Sequence, residues 1–129
     1  RPADLIDRAI KMLVETGADS VQSFSDIGKY HPNWMVHLNE QGRVHPHAKN
    51  KAYRRQDLPK LFIPDGGVIA VRRNALFTTS DDDPHAFLGR DRRGIELPAG
   101  SIVDVDDPHD FALAESILNQ RFHAAEAAS

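Results

Sequence analysis

Val103-Asp104-Val105-Asp106-Asp107-Pro108-His109-Asp110-Phe111 is the stretch on which the fold reading turns. Residues 102–105 are rich in β-branched side chains and read as a short strand. Asp107 then fits a helix N-cap and Pro108 the first helical position. Phe111, Ala114, Ile117, Leu118 and Phe122 continue a helical stripe into an Ala-rich end. A strand passing at once into a capped helix is a building unit of an α/β sheet. Asp104 and Asp106, two apart on a strand, project to one side while Val103 and Val105 project to the other. They fall at the strand's C-terminal end, where open α/β sheets bind ligands. Two carboxylates there suit a hard divalent cation such as Mg²⁺, which usually adds substrate phosphates to one or two protein carboxylates. Asp also favours helix N-termini, so spacing alone leaves a metal pair and a plain strand-end cap both open.

Upstream, Leu5, Ile6, Ala9, Ile10 and Leu13 recur at helical spacing, and Gly17 stands where a left-handed C-terminal cap belongs. A helix over residues 3–16 follows, with Asp4 and Asp7 favourably near its N-terminus. Residues 20–25 alternate with period two and read as a strand. Trp34-Met35-Val36-His37-Leu38 and Arg43-Val44-His45 flank Asn39-Glu40-Gln41-Gly42, a β-hairpin pattern. Asp65-Gly66-Gly67 reads as a tight turn entering Val68-Ile69-Ala70-Val71, a wholly apolar and therefore buried strand. Helices at both ends with strands between them make the chain α/β, with the hairpin as an excursion.

Composition narrows the function classes. A length of 129 residues suits one domain. The net charge of −3 argues against general nucleic-acid binding. No apolar run approaches the ~20 residues of a membrane helix. With no Cys, thiolate nucleophiles, disulfide scaffolds and Cys-based zinc sites are excluded. No signal-peptide pattern opens the chain, so a reducing cytoplasm is the expected compartment. Arg1-Pro2-Ala3-Asp4 runs directly into the first helix, which suits either a natural start or a fragment.

Charge is segregated along the chain. Residues 43–60 hold Arg43, Lys49, Lys51, Arg54, Arg55 and Lys60 against Asp57 alone, whereas acidic side chains dominate residues 81–110. Such separation suits a site handling an anion and a metal, and solvated loops produce it too. An Arg in Arg54-Arg55-Gln56-Asp57-Leu58-Pro59 can grip a carboxylate or phosphate with two parallel bonds. His45-Pro46-His47 has no further ligand at knuckle or helical spacing, so a surface loop is the stronger reading there. There is no G-x-S-x-G, P-loop or G-x-G-x-x-G.

Taken in order, His31-Pro32, Arg55-Gln56-Asp57-Leu58-Pro59, Asp65-Gly66-Gly67-Val68-Ile69-Ala70-Val71 and Val103 to Phe111 resemble the C-terminal half of the acylneuraminate cytidylyltransferases, the CMP-sugar synthetases. The resemblance implies a partial Rossmann-like nucleotidyltransferase sheet with flanking helices and, over about residues 22–60, a hairpin-bearing extension that packs on a second subunit of a homodimer. It implies that Asp104 and Asp106 are catalytic and hold Mg²⁺ or another divalent cation. Arg55 and Gln56, Asp65 and Gly66, Ile69 and Phe87 would line the substrate site, Arg55 reaching a sugar-acid carboxylate in the partner's site. The family reaction transfers CMP from CTP to an acidic sugar of nonulosonic type and releases pyrophosphate. Trp34 stands where sialic-acid-specific members carry Lys, Ile69 where they carry Tyr, and Phe87 alone represents their paired Phe. These departures weigh against sialic acid itself, and another nonulosonic acid or a different acidic alcohol is compatible with them. The family's Gly/Arg/Lys-rich CTP-binding loop precedes the helix that begins this chain, so the 129 residues are expected to be an incomplete enzyme. The alternative is a non-catalytic dimerisation, regulatory or anion-binding module of the same fold.

Overall fold

The strand Ser20–Asp26 (β1) organises the molecule. The computed structural model describes residues 1–127. In chain order it contains α1 (Leu5–Thr16), β1, β2 (Val36–Leu38), β3 (Val44–Pro46), β4 (Phe62–Val71), β5 (Arg92–Leu97) and α2 (Pro108–Ala127), with short 3₁₀ turns between them. β1 lies between β4 and β5, antiparallel to the first and parallel to the second. The fold is thus mixed α/β: a small mixed sheet with two helices. β2 and β3 pair as the expected hairpin, with His37 opposite His45.

α1 forms because its apolar spacing gives it one face to bury. Leu5 and Ala9 are fully buried and join Val21, Ile95 and Leu97 in the core, with Met12, Leu13, Val68, Ala70 and Ile102 packed around them. Gly17 closes the helix at φ 71°, as its position in the sequence anticipates. Its last turn has no basic residue of its own; Arg72, just past β4, donates to the carbonyls of Leu13 (2.9 Å) and Ala18 (2.7 Å). A cation at that end is favoured by the helix dipole.

Three sequence expectations need correction. Residues 102–106 form no strand; they lead to α2 without pairing to the sheet. β-branched composition makes a strand possible, but only a neighbouring strand's hydrogen bonds make it real. Asp65-Gly66-Gly67 is a bulge within the ten-residue β4 rather than a turn before it: Gln22 pairs with Ile69 and Phe24 with Pro64, so residues 65–68 stand opposite Ser23 alone. β4 is also not wholly buried, because only one face of the sheet carries α1. Ile69 lies on the other face and is 54 % exposed. β5 was hidden in the sequence by its Arg92-Arg93-Gly94 opening, although Ile95 and Leu97 alternate inward around Glu96.

α2 begins as the sequence predicts. Asp107 Oδ1 accepts from the amides of His109 (2.7 Å) and Asp110 (2.9 Å), and Asp110 Oδ2 reaches back to the amides of Asp106 and Asp107. Its stripe remains largely in water, with Phe111, Leu118 and Phe122 exposed; Arg121 ties it to the Ser101 carbonyl. The whole chain exposes 10045 Å². A compact monomer of 14.4 kDa should expose about 6,800 Å². The surplus lies on α2, on the uncovered sheet face, on the hairpin and along Ile6, Ile10 and Val14 of α1. Among the described residues no helix is long and apolar enough to cross a membrane.

The parallel β1–β5 pair is latched at its start. The Asp91 carbonyl accepts from the amides of Asp19 (2.9 Å) and Ser20 (3.3 Å), while Asp19 Oδ2 accepts from Arg90 (2.8 Å) and Asp91 (3.0 Å). The Asp91 and Arg90 amides hold the Asp19 carboxyl below its ordinary 3.8, with Arg72 and Arg90 charges adding to the effect. A lowered folded-state value means that Asp19 stabilises the fold above the ordinary Asp range and loses that contribution as pH falls through and below 3.8. Asp19→Ala should therefore melt below wild type at neutral pH, and the gap should shrink towards pH 2. A gap independent of pH from 7 to 2, measured by thermal melting, would contradict the latch.

Candidate functional site

β1 turns Ser23 and Ser25 to the same face as Val21, towards α1, where polar side chains need partners. Both find Asp65. Ser23 Oγ donates a short hydrogen bond to its Oδ1 and Ser25 Oγ donates to Oδ2 at 2.9 Å. Asp65 Oδ1 also accepts from the Gly67 amide (3.0 Å), and Ser23 Oγ accepts from the Val68 amide (3.0 Å). The bulge is thereby satisfied from inside. Its two glycines differ in purpose. Gly66 takes φ 71°, a left-handed conformation that L side chains rarely adopt. A Cβ on Gly67 would come within 2.7 Å of Ile102 Cδ1 and 2.9 Å of Ser23 Oγ.

That close approach joins two separated parts of the sequence. Ile102 seats on Gly67, and the chain then runs through Asp104 and Asp106 to the cap of α2. Four aspartates cluster in this stretch, but they are not equivalent. Asp107 and Asp110 are committed to the helix N-terminus. Asp104 and Asp106 are exposed, and among the described residues their carboxylates are engaged by no hydrogen bond or ion pair. No three His, Cys, Asp or Glu side chains converge on a metal position among the described residues. Two free carboxylates nevertheless fit the donor chemistry of Mg²⁺, which completes its shell with water and phosphate oxygens.

The neighbouring arginines are likewise inequivalent. Arg54 is held by Asp57 in a two-point pair, Nε to Oδ2 at 3.0 Å and Nη2 to Oδ1 at 3.2 Å. Arg55 has no such partner among the described residues, and it lines a cavity of about 690 Å³ with Asp26, Gly28, Glu96, Leu97 and Pro98. A smaller cavity of about 140 Å³, shared with His31, Leu58 and Pro59, lies against the same arginine. Gln56 is exposed beside it. The extension carrying Arg55 leaves the sheet after Asp26 and returns at Phe62, so residues 22–26, counted with it in the sequence, belong to the main sheet. Its foot is closed by the Ile27 amide on the Leu61 carbonyl (3.3 Å) and by His31. This His31 is buried; Nδ1 accepts from the Asn33 amide (3.1 Å), which puts the ring proton on Nε2, 3.0 Å from the Pro59 carbonyl.

The remaining predicted residues are dispersed. Ile69 lies on the uncovered sheet face. On that same face Phe24, Lys60, Leu61, Phe62, Gly94 and Glu96 line a cavity of about 430 Å³, with Lys60 paired to Glu96 at its rim. Phe87 is half-buried beside His85 and lines a separate cavity of about 190 Å³ with Leu76, Thr78 and Pro84. None of these cavities includes Asp104 or Asp106. Sequence reasoning missed Ser23 and Ser25, whose signal was two hydroxyls on the buried face of a period-two strand.

Comparison with known proteins gives one informative match. Over 81 residues the chain is 31 % identical to an N-acylneuraminate cytidylyltransferase from Streptococcus agalactiae serotype V. The match covers 57 % of this chain and 19 % of that protein, so the chain spans about a fifth of the relative's length. No family model matches. The likeness suggests a cytidylyltransferase-like chain.

The bulge network yields a stability prediction. Asp65→Ala removes three acceptor contacts and strands the buried Ser23 hydroxyl, which should cost about 1–3 kcal/mol. Urea unfolding checks it. A midpoint unchanged from wild type would mean that Asp65 is not needed to hold the bulge.

Proposed function

We propose that this chain is the C-terminal portion of a cytidylyltransferase that transfers CMP from CTP to an acidic sugar of nonulosonic type, releasing pyrophosphate. The observation that carries the reading is the 31 % identity over 81 residues to an enzyme of that name. Two structural features support it: the free carboxylates of Asp104 and Asp106, and the free guanidinium of Arg55 beside a cavity.

In this reading Asp104 and Asp106 hold a divalent cation, Mg²⁺ by preference. The bound ion supplies charge neutralisation at the phosphoryl group under attack. Asp107 and Asp110 keep the α2 cap closed, so the segment bearing the two ligands is fixed at its downstream end. Ile102 on Gly67 fixes it upstream. Arg55 orients the sugar acid by its carboxylate, a task for which a planar two-point donor is suited. A sugar hydroxyl then forms the new bond to the α-phosphorus as the bond to pyrophosphate breaks, and the hydroxyl proton passes to solvent. Positioning and electrostatics carry the rate. We further propose that residues outside these 129 supply the CTP-binding loop, and that the extension packs on a second copy so that Arg55 serves the neighbouring site. The 10045 Å² of exposed surface supports both requirements, since each would cover part of it.

The test is Asp104→Asn in the polypeptide that carries this chain together with its CTP-binding half, with Asp107→Ala beside it. Turnover in Asp104→Asn should fall by at least about 100-fold, since even groups behind a metal ligand are worth roughly 10–100-fold. Its melting temperature should stay at the wild-type value, because the carboxylate makes no hydrogen bond or ion pair among the described residues. Asp107→Ala should show the other pattern: the lost cap lowers the melting temperature, while turnover falls far less than in Asp104→Asn. Full turnover in Asp104→Asn at ordinary Mg²⁺ would remove the assignment and favour a non-catalytic anion-binding module built around Arg55.

A further inference from the structure

The hairpin carries three of the chain's histidines at a distance from the carboxylates discussed above in sequence, and the nucleotidyl-transfer reading uses none of them. His37 stands opposite His45 in the β2–β3 register, and two residues further along the ladder the His47 amide donates to the Met35 carbonyl at 2.9 Å. That bond keeps His47 in line with the strands although β3 ends at Pro46. The result is a contact that sequence spacing does not reveal: His37 Nε2 lies 3.0 Å from His47 Nδ1, with ring centroids 5.1 Å apart and planes inclined by 54°.

The backbone holding the two rings is well tied. Asn39 Oδ1 accepts from the amides of Gln41 (3.0 Å) and Arg43 (2.9 Å), its own amide donates to the Arg43 carbonyl (3.1 Å), and Gly42 takes the left-handed φ of 74° that the turn requires. Both imidazoles are exposed. A hydrogen bond between two rings in open water adds little to folding. Two imidazole nitrogens on one ion at about 2.0–2.1 Å each, subtending 90–110°, stand roughly 2.9–3.4 Å apart. The observed separation falls inside that range.

We propose that His37 and His47 form a two-imidazole site for a borderline divalent ion of the Zn²⁺, Ni²⁺ or Cu²⁺ kind. No third His, Cys, Asp or Glu joins them among the described residues, so water fills the remaining positions. Imidazole donors select these ions over Mg²⁺, which prefers oxygen. The site therefore stands or falls separately from Asp104 and Asp106.

Calorimetric titration of the 129-residue chain with Zn²⁺, in excess Mg²⁺ to saturate carboxylates, tests the proposal. One ion per chain should bind. His37→Gln and His47→Gln should each weaken binding by at least about 10-fold, while His85→Gln, outside the hairpin, should bind as wild type does. Both substitutions are on the exposed hairpin, and melting curves verify that the core is retained. In the unmutated protein, nitrogen NMR should show the His37 Nε2 and His47 Nδ1 signals shifting together on Zn²⁺ addition. Undiminished binding in His37→Gln or His47→Gln, no saturable binding to wild type, or nitrogen shifts confined to other histidines would overturn the proposal.

Discussion

The hydrogen bonds that Ser23 and Ser25 donate to Asp65 decide more of this structure than their number suggests. Among the described residues β1 alone has strands on both sides, so an irregularity opposite its middle propagates to everything that packs there. Four residues of β4 crowd opposite Ser23, and Asp65 absorbs the disruption by accepting from two hydroxyls and an amide. With the bulge fixed, Gly67 leaves space that Ile102 fills. Ile102 in turn fixes where the segment bearing Asp104 and Asp106 leaves the core. A polar network inside the sheet thus sets the position of two carboxylates more than thirty residues away in the chain.

Packing explains why so much apolar surface stays in water. One helix covers one face of a three-stranded sheet, and the cluster it completes contains five fully or nearly buried hydrophobic residues. That core is small for the length of chain it must organise, and the conformational entropy of ordering each residue makes small cores marginal. The opposite face offers Phe24, Phe62 and Ile69 beside a cavity with an ion pair at its rim. α2, capped at its N-terminus yet exposed along its stripe, behaves as a helix whose local signals are complete and whose tertiary partner is not. Under the proposed function both surfaces are covered in the assembled enzyme.

What was legible in the sequence was local. Gly17 as a C-cap, Asp107-Pro108 as a helix start and the Asn39–Gly42 turn each act through bonds spanning a few residues, and each is found where it was expected. What was not legible depended on distant neighbours. Residues 102–105 have the composition of a strand but pair with neither edge of the sheet, while Arg92–Leu97 looks poor as a strand and becomes one because β1 and the Asp19–Asp91 latch receive it. Site chemistry divides in the same way. Residue types alone could not separate Asp104 and Asp106 from Asp107 and Asp110, or Arg55 from Arg54. The structure separates them by what each is already bonded to: the cap consumes one pair of carboxylates, and Asp57 consumes one guanidinium.

The central claim is that these residues belong to a machine that moves CMP onto an acidic sugar. It is tested most directly by supplying CTP labelled at the α-phosphorus, Mg²⁺ and a panel of nonulosonic acids to the polypeptide proposed to join this chain to a CTP-binding half. Label should appear in a CMP-sugar together with an equal amount of pyrophosphate, and should fail to appear when the sugar's carboxylate is replaced by an amide. Saturable CTP binding without label transfer to any acidic sugar, or transfer equally fast to the amide, would contradict the account.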